Sequence, residues 1–229
     1  MKKKVVLIIT LCLFSIFIQA QNVDALVEKV KQKMNQVNDY SVDAKMKTNV
    51  AFIKAPIGKV KIYFKKPDQL KLFREKGISI LPKGGVSVNF FSVLNTKNIS
   101  IIDAGTTVVN GSNTRIVKLL PLTENSDIII STLYIDEKEL LIRKSSTTTR
   151  ENGSFEMEMF YGDLINLGLP NKMIFSFNVK DYKMPKGVTL DIDDDLSKEE
   201  KKKFQNKKGK IEFTYSNYII NKGIPDNIF

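Results

Sequence analysis

Histidine and tryptophan are absent from this chain of 229 residues, and cysteine occurs once, at Cys12. Without histidine there is no Ser-His or Cys-His nucleophile pair and no imidazole metal ligand. A single thiol excludes an internal disulfide. Without tryptophan, stacking platforms for sugars or bases are left to Phe and Tyr. Phosphate loops, zinc helices, serine elbows and dinucleotide fingerprints are missing as well. Ser-Lys and carboxylate pairs do occur, as they do in any chain this rich in serine and charge, so neither marks a catalytic site. Asp191, Asp193, Asp194 and Asp195 lack the glycine and terminal glutamate of a calcium loop and read as a solvated turn. The expectation is a protein that is not an enzyme, with no cofactor and no metal.

The first twenty residues read as a targeting segment. Lys2, Lys3 and Lys4 precede an apolar run from Val5 to Ile18, too short to span a bilayer comfortably. Ala20 ends an Ile18-Gln19-Ala20 cleavage site, so residues 1–20 are expected to be a signal peptide and 21–229 one domain in the periplasm. Leu11 before Cys12 is too large for a lipoprotein cleavage site. Loss of the three leader lysines lowers the net charge from +11 to +8. A secreted basic protein meets anionic headgroups or polyanionic envelope polymers rather than nucleic acid. The same lysines also serve to keep one sheet face wet and to blunt sheet edges.

What is present is alternation. From Tyr40 to Leu72 the apolar residues fall on even positions: Val42, Ala44, Met46, Val50, Phe52, Val60, Ile62, Phe64, Leu70 and Leu72. Odd positions carry Asp43, Lys45, Lys47, Asn49, Lys59, Lys61, Lys65, Gln69 and Lys71. A period of two means strands with one dry and one wet face. Ahead of them, Val23, Leu26, Val27, Val30, Met34 and Val37 recur at helical spacing and predict a helix over 22–38.

Further on, short strands alternate with turns. The sequence predicts strands over 99–103, 106–110, 114–121, 128–136, 139–149, 154–161, 172–179 and 210–219, with Asn110-Gly111 and Asn152-Gly153 as hairpin signals. Val86 to Leu94 suits a short helix beside the Gly84-Gly85 hinge, and Leu196 to Asn206 a short basic one. Repeated strands without interleaved helices indicate an antiparallel sheet or barrel.

The segment Lys61-Ile62-Tyr63-Phe64-Lys65-Lys66-Pro67, placed after a leader, a helix and an alternating strand, resembles the LolA-like periplasmic lipoprotein carriers. Val117-Lys118-Leu119-Leu120-Pro121, Leu133-Tyr134-Ile135-Asp136, Lys172 to Phe177 and Pro185-Lys186-Gly187-Val188 resemble later strands of that family, in the same order. The resemblance covers residues 22–190. It implies an α+β fold: an incomplete antiparallel β-barrel, a strongly curved sheet, with an N-terminal helix and lid helices covering an apolar cavity. It further implies a monomeric carrier of the acyl chains of lipoproteins or other lipids towards the outer membrane, with envelope membrane proteins as donor and acceptor. Residues 190–229 are then additional to the shorter carriers.

In that reading the even-numbered face from Val42 to Leu72 lines the cavity, Phe90 and Phe91 belong to the lid, and Lys66 sits at the rim. The carriers hold their lid with an arginine where this chain has Lys66, which lacks the planar fork for two carbonyls. Each buried methylene contributes about 0.8 kcal/mol, and affinities saturate near roughly 20 kcal/mol. Partial insertion of one or two chains is therefore expected. A blander alternative packs the same face only against Val23, Leu26, Val30 and Met34 of the helix. A second function of the same fold is a non-enzymatic envelope sensor or interaction module, contacting partners through the basic segment from Lys201 to Lys210.

Overall fold

The computed structural model describes residues 23–49, 58–67, 69–74, 94, 98–124, 126–150, 153–178 and 208–229. Among them one α-helix and ten strands follow in chain order: α1 (Val23–Met34), β1 (Asp39–Asn49), β2 (Gly58–Lys65), β3 (Gln69–Arg74), β4 (Ile99–Val109), β5 (Ser112–Pro121), β6 (Ile128–Asp136), β7 (Leu141–Thr149), β8 (Gly153–Tyr161), β9 (Pro170–Asn178) and β10 (Lys208–Ile220). Residues 1–20, the segments over 86–93 and 196–206 and the acidic knot at 191–195 lie outside the described residues, as do Val50, Phe52, Phe90 and Phe91.

All neighbouring strands are antiparallel, in the order β3-β2-β1-β10-β9-β8-β7-β6-β5-β4. The sheet ends on β3 and β4 and is not a closed barrel. It is nevertheless strongly curved: Leu70 of β3 and Leu141 of β7 line one cavity although five strands separate theirs. β10, read from the sequence as part of an addition, stands in the middle of the sheet. Its Phe213 is opposite Met46 of β1 on one side and Met173 of β9 on the other.

The even-numbered alternation maps onto the inner face. Val42, Ala44, Met46, Val60, Ile62 and Phe64 are all buried, and Val42 faces Ile62 across the β1–β2 ladder. They do not pack under the helix stripe. Val42, Ala44, Met46, Val60 and Ile62 cluster with Phe155, Met157, Phe175, Phe177, Ile211 and Phe213 of β8, β9 and β10. Leu26, Val27 and Val30 of α1 instead cover Val117, Leu119, Leu133 and Ile135, all four fully buried in β5 and β6. At about 1.5–3 kcal/mol for each such side chain, that second cluster anchors the helix. The bland alternative is thus corrected: Val42, Ala44, Met46 and Val60 pack against β8–β10, while Val30 and Met34 of the helix and Ile62 and Phe64 of β2 border a space between the two clusters.

Smaller differences have local causes. The expected strands over 99–103 and 106–110 are one strand, β4, with a bulge between Asp103 and Thr106. Gly105 supplies a φ of 89° there and donates its amide to Asp103 Oδ1 at 2.9 Å. The helix stops at Met34, four residues before the expected end, as Asn35 to Asn38 unwind into turns. Asn110 and Gly111, both at positive φ (49° and 80°), form the two-residue hairpin turn that their types demand. Gly153 instead opens β8, opposite Thr149, so the connection before it is longer than two residues.

Candidate functional site

Between the two clusters lies an apolar cavity of about 170 Å³. Its roof is the C-terminal half of α1 and the following turn, through Val30, Met34 and Val37. Ile62 and Phe64 of β2 and Leu70 and Leu72 of β3 form one wall. The opposite wall comes from Leu141, Ile142, Met157 and Met159 of β7 and β8, and from the Leu167–Pro170 segment between β8 and β9. Met173, Phe213 and Tyr215 make the floor. Four of the chain's seven methionines border this space. Methionine is unbranched and polarizable, so such a lining re-packs around a guest at little cost. Cavities of about 150 Å³ with apolar walls take up a benzene-sized molecule. The space as it stands therefore admits a short stretch of hydrocarbon, not several chains.

Among the described residues the polar side chains at the cavity are few and all phenolic: Tyr40, Tyr161, Tyr215 and Tyr218. No charged residue borders it among the described residues. Tyr161 donates to the Ile142 carbonyl at 2.8 Å, and Tyr218 to the Pro170 carbonyl at 2.8 Å. Burial raises the pKa of all four, that of Tyr40 to about 12. Tyr40 and Tyr215 each add to the upward shift of Tyr218, because two neighbouring phenolates would repel.

Two lysines hold the end of α1 over this space. Lys66 Nζ donates to the Asn35 carbonyl at 2.6 Å and to Asn38 Oδ1 at 3.2 Å. Lys33 Nζ donates to the Glu139 carbonyl at 2.7 Å, in the turn between β6 and β7. Partial burial lowers the pKa of both ammonium groups; for Lys33, Glu139 and Asp136 pull the other way. That turn is itself fixed by Asp136. Its Oδ1 accepts the amides of Lys138 (3.2 Å) and Glu139 (3.1 Å), and its Oδ2 accepts Arg143 Nε (3.1 Å) and Nη2 (2.9 Å). Burial is the largest single influence on Asp136 and opposes its ionisation, but the Arg143 bonds and charge, the Glu139 amide and Ser112 together outweigh it and the carboxyl stays below its ordinary value.

Of the residues expected to line a cavity, Ile62, Phe64, Leu70 and Leu72 do. Val42, Ala44, Met46 and Val60 are buried in the neighbouring cluster and do not touch the space. The structure places Lys66 beside the end of α1, where it bonds Asn35 and Asn38 of the turn that follows the helix. The sequence reading missed the tyrosines and most of the methionines. Met157, Met159 and Tyr161 were legible as the inward parity of β8. Tyr218 was not. It shares the cavity with Tyr215, three residues away, because a register shift opposite Ser41–Asp43 and Asn217 at φ 55° break the alternation.

No protein-family model and no curated protein matches the chain. Solved structures do. A domain from Vibrio parahaemolyticus described as outer membrane lipoprotein-sorting superposes with a TM-score of 0.56 at 10% identity, over 89% of this chain and 94% of that one. A DUF1329 family protein from Desulfovibrio piger gives a TM-score of 0.55 at 11% identity, over 89% and 93%. A LolA superfamily protein from Nitrosomonas europaea gives 0.51 at 10% identity, over 89% and 96%. At such identities these likenesses establish the fold.

Proposed function

We propose, from a LolA-like fold built around an apolar cavity, that this protein binds the acyl part of a lipid or lipoprotein and carries it through the periplasm towards the outer membrane. The observation that carries this reading is the methionine-rich space between α1 and the curved sheet, which no charged side chain borders among the described residues. Its size sets the mode of binding. A guest of about six carbons buries roughly 5 kcal/mol of hydrocarbon, an affinity in the sub-millimolar range. A longer chain binds more tightly only as the lining gives way. Weak, expandable binding suits a protein that must release what it carries. No chemical step is proposed. Lid helices, and membrane proteins that load and unload the carrier, belong to the same proposal; the lid segment is outside the described residues.

Native mass spectrometry of the protein purified from its own envelope tests this reading. Co-purifying lipid, together with saturable uptake of a fluorescent acyl probe displaced by unlabelled lipid, is the expected result. Bare protein mass and no probe uptake would overturn it.

A further inference from the structure

Two of the four tyrosine hydroxyls at the cavity have no oxygen or nitrogen partner among the described residues. Tyr40 packs its ring on Phe64 and Tyr218, with centroids 5.2 Å and 5.6 Å away, and its hydroxyl makes no hydrogen bond among the described residues. The Tyr215 hydroxyl reaches only the Met173 thioether, at 3.8 Å, a weak acceptor. The Tyr218 ring touches both neighbours, 5.6 Å from Tyr40 and 6.0 Å from Tyr215, so the two donors serve one region of the lining. Neither hydroxyl is sealed away, since Ser145 Oγ alone among the described residues is a fully buried side-chain polar atom without a partner, so each is open to an acceptor that enters the cavity. Burial keeps both phenols protonated across the physiological range.

The chemistry of the guest follows from what is missing. With no lysine or arginine among the described residues of the cavity wall, a carboxylate or phosphate entering it would meet no opposite charge there. A neutral oxygen acceptor fits both the phenols and the apolar walls. We infer that Tyr40 and Tyr215 form a subsite for the carbonyl oxygen of an acyl ester, holding it by hydrogen bonds while the hydrocarbon lies among Met157, Met159 and Met173. This inference rests on the acyl-binding reading and adds to it the end of the chain that is recognised.

Displacement of a fluorescent acyl probe by three guests tests it: a fatty-acid methyl ester, the alkane of equal length, and the free acid at pH 8. The ester should displace the probe at about tenfold lower concentration than the alkane, the gain expected of two modest hydrogen bonds. The ionised acid should be weaker than the ester. In the double variant Tyr40→Phe, Tyr215→Phe, which keeps every ring, the ratio of ester to alkane should fall to near one. Equal ester and alkane affinity in the unaltered protein overturns the subsite and leaves acyl binding standing. So does an ester preference that survives in the double variant, or a free acid that binds best. Failure of all three guests overturns both readings.

Discussion

Asp39 and Asn221 cap each other's turns. Asn221 Oδ1 accepts the amides of Asn38 (2.7 Å) and Asp39 (3.4 Å), while Asp39 Oδ1 accepts those of Lys222 (3.1 Å) and Gly223 (3.0 Å). The Asn221 amide also donates to the Gln36 carbonyl at 2.9 Å. The start of β1, the end of β10 and the turn after α1 are thereby joined at one point, beside Tyr40. Asparagine suits the site twice, since its φ of 54° is one that most side chains resist. Asn221→Ala loses the bonds and adds backbone strain, for about 2 kcal/mol in total. Asn221→Gly loses the bonds alone and should cost less. Urea denaturation checks both, and an alanine no worse than glycine would remove strain from the account.

The residues of the inner face divide into core and cavity, and substitution should separate them. Met46 is buried in the cluster of β1, β2 and β8–β10 and does not border the cavity. Met46→Ala should cost about 2–4 kcal/mol of stability and leave acyl-probe affinity unchanged. Leu72 is only partly buried, on the edge strand β3, and lines the cavity. Leu72→Trp should place an indole in the space, raise the probe dissociation constant about tenfold or more, and move the melting temperature little. A tryptophan at 72 that binds probe normally would show that this wall is not where the guest lies.

How much of this was legible depended on whether parity held. At Val42, Ala44 and Met46 of β1 and Val60, Ile62 and Phe64 of β2 it did, and the inner face could be read residue by residue because a one-residue slip would expose the whole set. In β7 it could not. Ser145 and Thr147 are fully buried, Thr147 hydrogen-bonds Ser131 at 2.8 Å, and hydropathy alone assigns such residues to solvent. The cavity was harder still, since it depends on which strands the curvature brings together. Leu70 and Leu141 are far apart in sequence and in sheet order, and nothing local to either announces the other. The bulge that turns Tyr218 inward rests on the positive φ of Asn217, a choice no alternation pattern encodes.

The tyrosines give the protein a sensitivity to alkali with a definite sign. Their folded pKa values are raised above the ordinary value of 10, that of Tyr40 to about 12. The protonated form is thus favoured in the folded state. Stability from this source is fully present below pH 10 and is lost as pH rises from there through 12. Each such tyrosine steepens the loss by about 1.4 kcal/mol per pH unit in that window. The urea midpoint should fall steeply above pH 10, and less steeply in Tyr40→Phe. Ultraviolet titration should show at least four tyrosines, Tyr40, Tyr161, Tyr215 and Tyr218, still neutral in the folded protein at pH 11. Ionisation of these four near pH 10 without unfolding would mean that the cavity is open to water.

Lys66 holds the turn after α1 beside the roof of the cavity. It bonds the Asn35 carbonyl, just past the last helical turn, and that turn supplies Met34 to the roof. The other restraint, Lys33 on the Glu139 carbonyl, acts from the far side. Each is a charged donor to a backbone carbonyl near solvent, worth about 1 kcal/mol in stability. That is small against the whole fold but large against the opening of one helix end, where a factor of five in rate is about the same energy. Lys66→Ala should therefore speed release of a bound acyl probe about fivefold while lowering the melting temperature only slightly. Lys66→Arg, whose fork can reach the carbonyl and Asn38 Oδ1 together, should slow release to the original rate or below it. Stopped-flow release rates decide the matter: if alanine, arginine and lysine at this position release probe equally fast, the guest leaves by a route that does not lift α1.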